Sequence, residues 1–179
     1  LIEDLSTITT VNFKHADDLL YLVGETHGDF NGSELQKLQT GEVAGRLFDF
    51  DLDAEKANQQ FVLTAIRQHL VTAAHDLSDG GLLVALAEMG FTNQLGAQVK
   101  VDLPTSWGFS ETQGRFLVTV APEDQAAFEA LNGPAELIGR VQAAPQFDVT
   151  TVSHQFSVPL EELQTAFEEA LPCYLNQKA

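Results

Sequence analysis

The chain has 179 residues, 44% of them hydrophobic, with 26 acidic against 9 basic side chains and a net charge of −17. That apolar share supports a buried core, and the length fits one domain, read here as residues 1–179 with 1–17 as a linker or leading segment. A surface this acidic repels nucleic acid and anionic membranes, so neither is expected as a partner.

In chain order, Asp18 to Val23 is a short apolar run stopped by Gly24, read as a buried strand. Glu25 to Gly32 is a polar loop, and Ser33 caps a short helix to Leu38. Gly41 to Phe50 is irregular. Asp53 to Leu70 places Ala54, Ala57, Phe61, Ala65 and Ile66 near helical spacing; it is read as the longest helix, with Asp53 as its cap. Val71 to Ala74 is a strand and Gly81 to Met89 a helix. Both are apolar nearly all round, which places this unit at the centre of the fold.

Gly96 to Leu103 alternates as a half-exposed strand does, and Pro104 to Gly108 turns. Arg115 to Ala121 is another strand, and Pro122 opens a helix through Leu131. Strands follow at Ala135 to Val141, Asp148 to Val152 and His154 to Val158, before a final helix striped by Leu160, Leu163 and Phe167. Helices interleave with strands that become adjacent late in the chain. The expected class is therefore α/β (α+β), a mixed sheet with flanking helices.

The segment Val71 to Phe91 carries the strongest chemical pattern. An apolar run ends in His75-Asp76, Ser78 and Asp79 lead to Gly80-Gly81, and a helix follows. Paired glycines at a helix start let a ligand approach the backbone, and the free N–H groups there favour an anion. Asp76 and Asp79 beside them suit a divalent cation bridging to phosphate. The plainer reading is a strand-to-helix turn capped by Asp79.

A second constellation, Ser110-Glu111-Thr112-Gln113-Gly114-Arg115, gathers hydroxyl, carboxylate, amide and guanidinium groups that suit a polar phosphorylated ligand. Its plainer reading is a polar loop with Arg115 paired to a carboxylate. A third, Gly24 to Ser33, holds Glu25, His27 and Asp29, and otherwise reads as a solvated turn. There is no GxxxxGK[ST] loop, no GxGxxG fingerprint and no zinc spacing. The lone Cys173 excludes an internal disulfide and suits a reducing, cytoplasmic setting. No apolar run approaches a membrane span, and LIEDLSTITT has no signal-peptide design. The start at Leu1 reads as a piece of a longer protein or as processing.

Several of these segments together resemble one family. AAHDLSDGGLLVALAEMGF is similar to the glycine-rich segment of the last domain of the phosphoribosylformylglycinamidine synthases. Tyr21-Leu22-Val23-Gly24-Glu25-Thr26, followed by Gly32-Ser33-Glu34-Leu35, resembles that domain's opening strand and loop. Phe109 to Phe116, Ile138-Gly139-Arg140-Val141 and Ala170-Leu171-Pro172-Cys173 resemble later segments in the same order.

The resemblance implies the C-terminal domain of an aminoimidazole ribonucleotide synthase-like half, the second half of the small bacterial synthetase. It implies an ATP-dependent ligase that amidates formylglycinamide ribonucleotide, with magnesium and ATP or ADP in the parent enzyme. The implied partners are the remaining domains of its own chain, a glutaminase subunit and a small third subunit. By pseudosymmetry with the first half, a metal ligand falls on Asp76, and ligand contacts fall on Glu111, Thr112 and Gln113. The nucleotide or phosphate set read here is Asp79, Gly80, Gly81, Ser110, Glu111, Thr112, Gln113 and Arg115. This half forms the non-catalytic pseudo-site, so no catalytic residue is assigned and the isolated chain is expected to be inactive. Two alternatives stay open: another enzyme of the superfamily, such as an aminoimidazole ribonucleotide synthase or a selenophosphate-synthetase-like enzyme, or a nucleotide-binding module without enzyme context.

Overall fold

The computed structural model describes residues 4–46 and 50–176, with side chains described through residue 169. Phe48 and the side chain of Cys173 lie outside the described residues.

Strand β1 (Leu19–Val23) lies mid-sheet, antiparallel to both β4 (Phe116–Val120) and β5 (Ala135–Gln142). Beyond β4 runs β2 (Ala73–Asp76), and beyond β5 run β3 (Gly96–Lys100), β6 (Gln146–Thr150) and β7 (Gln155–Pro159). The order is β2-β4-β1-β5-β3-β6-β7, and only the β3–β6 pair is parallel. A strand covered on both faces needs apolar side chains at every position, and all five residues of β1 are buried. Leu20 and Leu22 face a cluster containing Leu82, Leu86 and Met89 of helix α3 (Gly81–Phe91) and Leu160, which begins the final helix, numbered α5 below (Leu160–Asn176). Leu19, Tyr21 and Val23 face the opposite cluster. There Phe61, Val62 and Ala65 of helix α2 (Leu52–Arg67) pack with Phe128 of α4 (Gln125–Glu129). The Phe128 ring sits 4.8 Å from that of Tyr21 and 5.3 Å from that of Phe61. The short helix α1 (Glu34–Thr40) follows β1, and Ser33 caps it as the sequence predicts.

Four sequence expectations are corrected. The 71–89 unit is not central as a whole: α3 is buried in the core, but β2 is an edge strand paired only with β4. Apolar content reports burial, and Val71 and Ala73 are buried against neighbours on both faces without a second strand partner. The cap of α2 is Asp51, not Asp53; its Oδ1 accepts from the amides of Asp53 and Ala54, both at 3.0 Å. α2 has 16 residues and α5 has 17, so α2 is not the longest helix. The segment opened by Pro122 splits into a 3-10 turn, Pro122–Asp124, and the short α4.

Tyr21 donates to Glu129 Oε1 at 2.8 Å. Burial, and then this contact with a carboxylate, push the phenol up from 10.0 to about 12. From pH 10 to 12 the unfolded chain loses that proton while the folded chain keeps it. The stability Tyr21 contributes is therefore whole below pH 10 and is lost as pH rises toward 12. Urea denaturation of Tyr21→Phe should give a shallower fall in stability across that window than the parent chain, whereas equal slopes would refute this account.

Candidate functional site

Strands β1 and β2 both run antiparallel to β4, which lies between them, so the ends of β1 and β2 and the start of β4 meet at one edge of the sheet. Three loops gather there: 24–33 after β1, 77–80 between β2 and α3, and 110–115 leading into β4. The 110–115 loop is preceded by a 3-10 turn, Thr105–Phe109.

Arg115 organises these loops from inside. It is 1% exposed. Its Nε donates to Thr112 O at 2.9 Å, Nη1 to Thr26 Oγ1 at 3.0 Å and Nη2 to Ser110 O at 2.6 Å. Burial pulls its pKa down to about 10, opposed by the nearby Asp29 carboxylate, so the guanidinium keeps its charge at neutral pH. The plainer sequence reading, a carboxylate ion pair, is replaced by main-chain carbonyls and a threonine hydroxyl. Ser110 and Thr112 are also buried, and both hydroxyls donate to His27 O. Thr112 Oγ1 accepts in turn from His27 N at 3.1 Å. Asn58, a polar residue on the buried face of α2, donates to Gly114 O at 2.9 Å.

Glu111 joins the loops at their other side. Its Oε1 accepts from Gly80 N at 2.9 Å and from Glu34 N at 2.8 Å, while its own amide donates to Asp29 O at 3.1 Å. One carboxylate oxygen thus serves the starts of α1 and α3, where free amides and the helix dipole favour negative charge. The plainer reading of Asp79 as cap of α3 is corrected: Gly80 is the N-cap and no side chain caps it. Gly81 has φ +68, and a Cβ there would lie 2.2 Å from Ser110 O, so only glycine lets the two loops touch.

The remaining sequence-predicted residues are more open. Asp76 ends β2 with an exposed carboxylate 3.6 Å from His75 Nδ1, and His75 Nε2 lies 2.9 Å from Glu88 Oε2. Asp79 and Gln113 are exposed. The structure thus brings Gly80 and Glu111 into contact and places Leu77 N on Arg115 O at 2.9 Å, whereas Ser110, Thr112 and Arg115 are buried within the loops. Among the described residues, no three His, Cys, Asp or Glu side chains are grouped to hold a metal ion. Thr112 and Gln113 also line a cleft of about 650 Å³ shared with Glu25, His27 and Asp29. Sequence reasoning missed Thr26, Asn58 and Asp51. Only Asn58 left a signal, as a polar residue on the apolar stripe of Phe61, Val62 and Ala65.

Residues 15–152 match the family model described as AIR synthase related protein, C-terminal domain. The chain belongs to this AIR synthase-related family. It is 81% identical over 179 residues, all of this chain and 24% of the relative, to a phosphoribosylformylglycinamidine synthase subunit PurL of Lacticaseibacillus paracasei. It is 43% identical over 177 residues, 98% of this chain and 24% of the relative, to the subunit of the same name from Leuconostoc mesenteroides. The chain therefore spans about a quarter of the length of these curated relatives. Thermotoga maritima PurL complexed with FGAR superposes with a TM-score of 0.75 at 22% identity, over 89% of this chain and 30% of that one. The seven-strand mixed sheet is the fold of these AIR synthase-related domains, as the sequence reading expects.

Gly81→Ala should cost about 2 kcal/mol or more, because it adds a strained backbone to a collision with a carbonyl. Thermal unfolding measures this, and an unchanged midpoint would contradict it. Glu111→Ala should speed amide hydrogen exchange at Gly80 and Glu34 together, 46 residues apart in the chain. Exchange that changed at one amide only would mean that Glu111 does not join the two helix starts.

Proposed function

We propose that this chain is the C-terminal domain of the second AIR synthase-like half of a small bacterial phosphoribosylformylglycinamidine synthase. The parent enzyme carries out the ATP-dependent amidation of formylglycinamide ribonucleotide in purine biosynthesis, taking ammonia from glutamine. The observation that carries this reading is the 81% identity to a PurL subunit along the whole of the chain. Identity that high over all 179 residues favours it over a stand-alone relative of the superfamily.

In this reading the chain completes the two-lobed enzyme and borders its non-catalytic pseudo-site. Gly80, Gly81 and exposed Asp79 present the start of α3, and exposed Gln113 offers an amide on the 110–115 loop. Ser110, Thr112 and Arg115, spent on internal hydrogen bonds, shape that border from within. Glu111 positions the Gly80 turn against α1 and leaves its second carboxylate oxygen for a ligand. ATP or ADP is the nucleotide proposed for the parent. Magnesium, when bound, would screen phosphate charge that a chain of net charge −17 otherwise repels. Asp76 fits one ligand of a composite set completed from outside this chain, since the described residues contain no complete set. The glutaminase subunit, the small third subunit and a cytoplasmic location follow from the same reading.

The test compares two preparations. The longer polypeptide containing this chain should form ADP and the amidine product from ATP, ammonia and formylglycinamide ribonucleotide, and the 179-residue chain alone should not. Turnover by the isolated chain would overturn the composite site, and inactivity of the longer polypeptide would overturn the reaction.

A further inference from the structure

The cleft of about 650 Å³ beside the loops is acidic in a way the nucleotide reading does not use. Four carboxylate residues line it: Glu25, Asp29, Asp51 and Glu55. Among its described lining residues none is lysine or arginine. Asp51 Oδ1 is engaged in capping α2, and Glu55 Oε1 accepts from Gln59. Asp29 differs from both. It is 6% exposed, and its Oδ1 is buried with no hydrogen-bond partner among the described residues. Arg115 acts on it only through space, because that guanidinium is engaged by Thr112, Thr26 and Ser110. A buried carboxylate oxygen without a donor is costly, and a cation entering the cleft would relieve that cost.

The walls define which cation. Phe50, 55% exposed, and Trp107 add aromatic surface to the carboxylates. The Trp107 ring lies directly against Gly28, where a Cβ would stand 3.1 Å from the indole, so the absence of a side chain there sets the ring's position. A hard divalent cation needs a grouped oxygen set, and the described residues contain none. A planar, weakly hydrated guanidinium suits carboxylates and aromatic faces together: it donates in a fork and stacks on rings. The chain spans 24% of its relatives' length, so in those relatives about three-quarters of the polypeptide lies outside the matching segment.

We propose that this cleft receives an arginine side chain of the polypeptide outside the present chain, its guanidinium donating to Asp29 while stacking beside Trp107. The acidic loop 24–33 is then a docking socket that fastens this domain to another part of the enzyme. The socket rests on the proposed reading of this chain as one domain of a longer polypeptide and shares Thr112 and Gln113 with the nucleotide set, but its charge and burial do not require nucleotide at α3.

Trp107 is the only tryptophan, so its fluorescence reports occupancy of the cleft. The chain is titrated with a short neutral-flanked peptide carrying one arginine, with the same peptide carrying citrulline, with guanidinium chloride and with magnesium chloride. The arginine peptide should give a saturable change that weakens with salt and exceeds the responses to citrulline and free guanidinium. Asp29→Asn should weaken its binding about tenfold, the scale of one charge-assisted hydrogen bond. Glu25→Gln, whose parent side chain is 84% exposed, should keep the fold and weaken binding about twofold. Should Asp29→Asn fail to fold by circular dichroism, Glu25→Gln decides, and its unchanged affinity would overturn the socket. An equal response to citrulline, tighter binding of free guanidinium, saturation by magnesium alone, or unchanged affinity in a folded Asp29→Asn chain would each overturn it. Loss of ligase activity in the longer polypeptide with this binding intact would instead count against the reaction assigned above.

Discussion

A guanidinium sealed inside a loop cluster constrains the rest of the edge where β1, β2 and β4 meet. A buried charge is tolerated only when its donors are matched, and Arg115 meets that demand with two main-chain carbonyls and the Thr26 hydroxyl. Each partner lies in a loop rather than on a strand or helix. The loops must therefore hold the positions that satisfy the guanidinium, and the chain carries a preformed surface at that edge. The hydroxyls of Ser110 and Thr112 extend the same logic, binding the main chain of His27 and so fastening the 24–33 loop to the 110–115 loop.

Electrostatics divide this surface into two parts. At the start of α3 the chain uses its own carboxylate: Glu111 occupies the Gly80 amide and joins it to α1. Across the loop, Asp29 has a buried carboxylate oxygen with no donor among the described residues. One helix start is partly satisfied from within, while the adjacent cleft is left wanting a cation. In a chain of net charge −17, that contrast is what the proposed nucleotide edge and the proposed arginine socket each rest on.

The tight contact between the loops depends on absent side chains. Gly81 lets Ser110 O approach, Gly114 lies under Glu55, and Gly28 admits the Trp107 ring. In the sequence these glycines read as turn residues or phosphate-loop signals. In three dimensions their main use is close approach of loop to loop, which explains how a glycine-rich segment serves packing and a candidate binding edge together.

Local pattern alone established much of this protein. The buried β1, the Ser33 cap of α1, the apolar α3 and the mixed sheet all follow from hydrophobic period and capping chemistry, which act over a few residues. The β2 end carrying Asp76 and the loops carrying Gly80 and Glu111 were also legible, because polar and glycine-rich residue types cluster there. Tertiary structure decided the rest: that β2 lies at the sheet edge, that Glu111 binds two amides 46 residues apart, that Arg115 turns inward, and that Asp29 is buried. Each depends on which strands become neighbours and on which donors face a given acceptor. Those are long-range outcomes of packing, and no run of neighbouring residues encodes them.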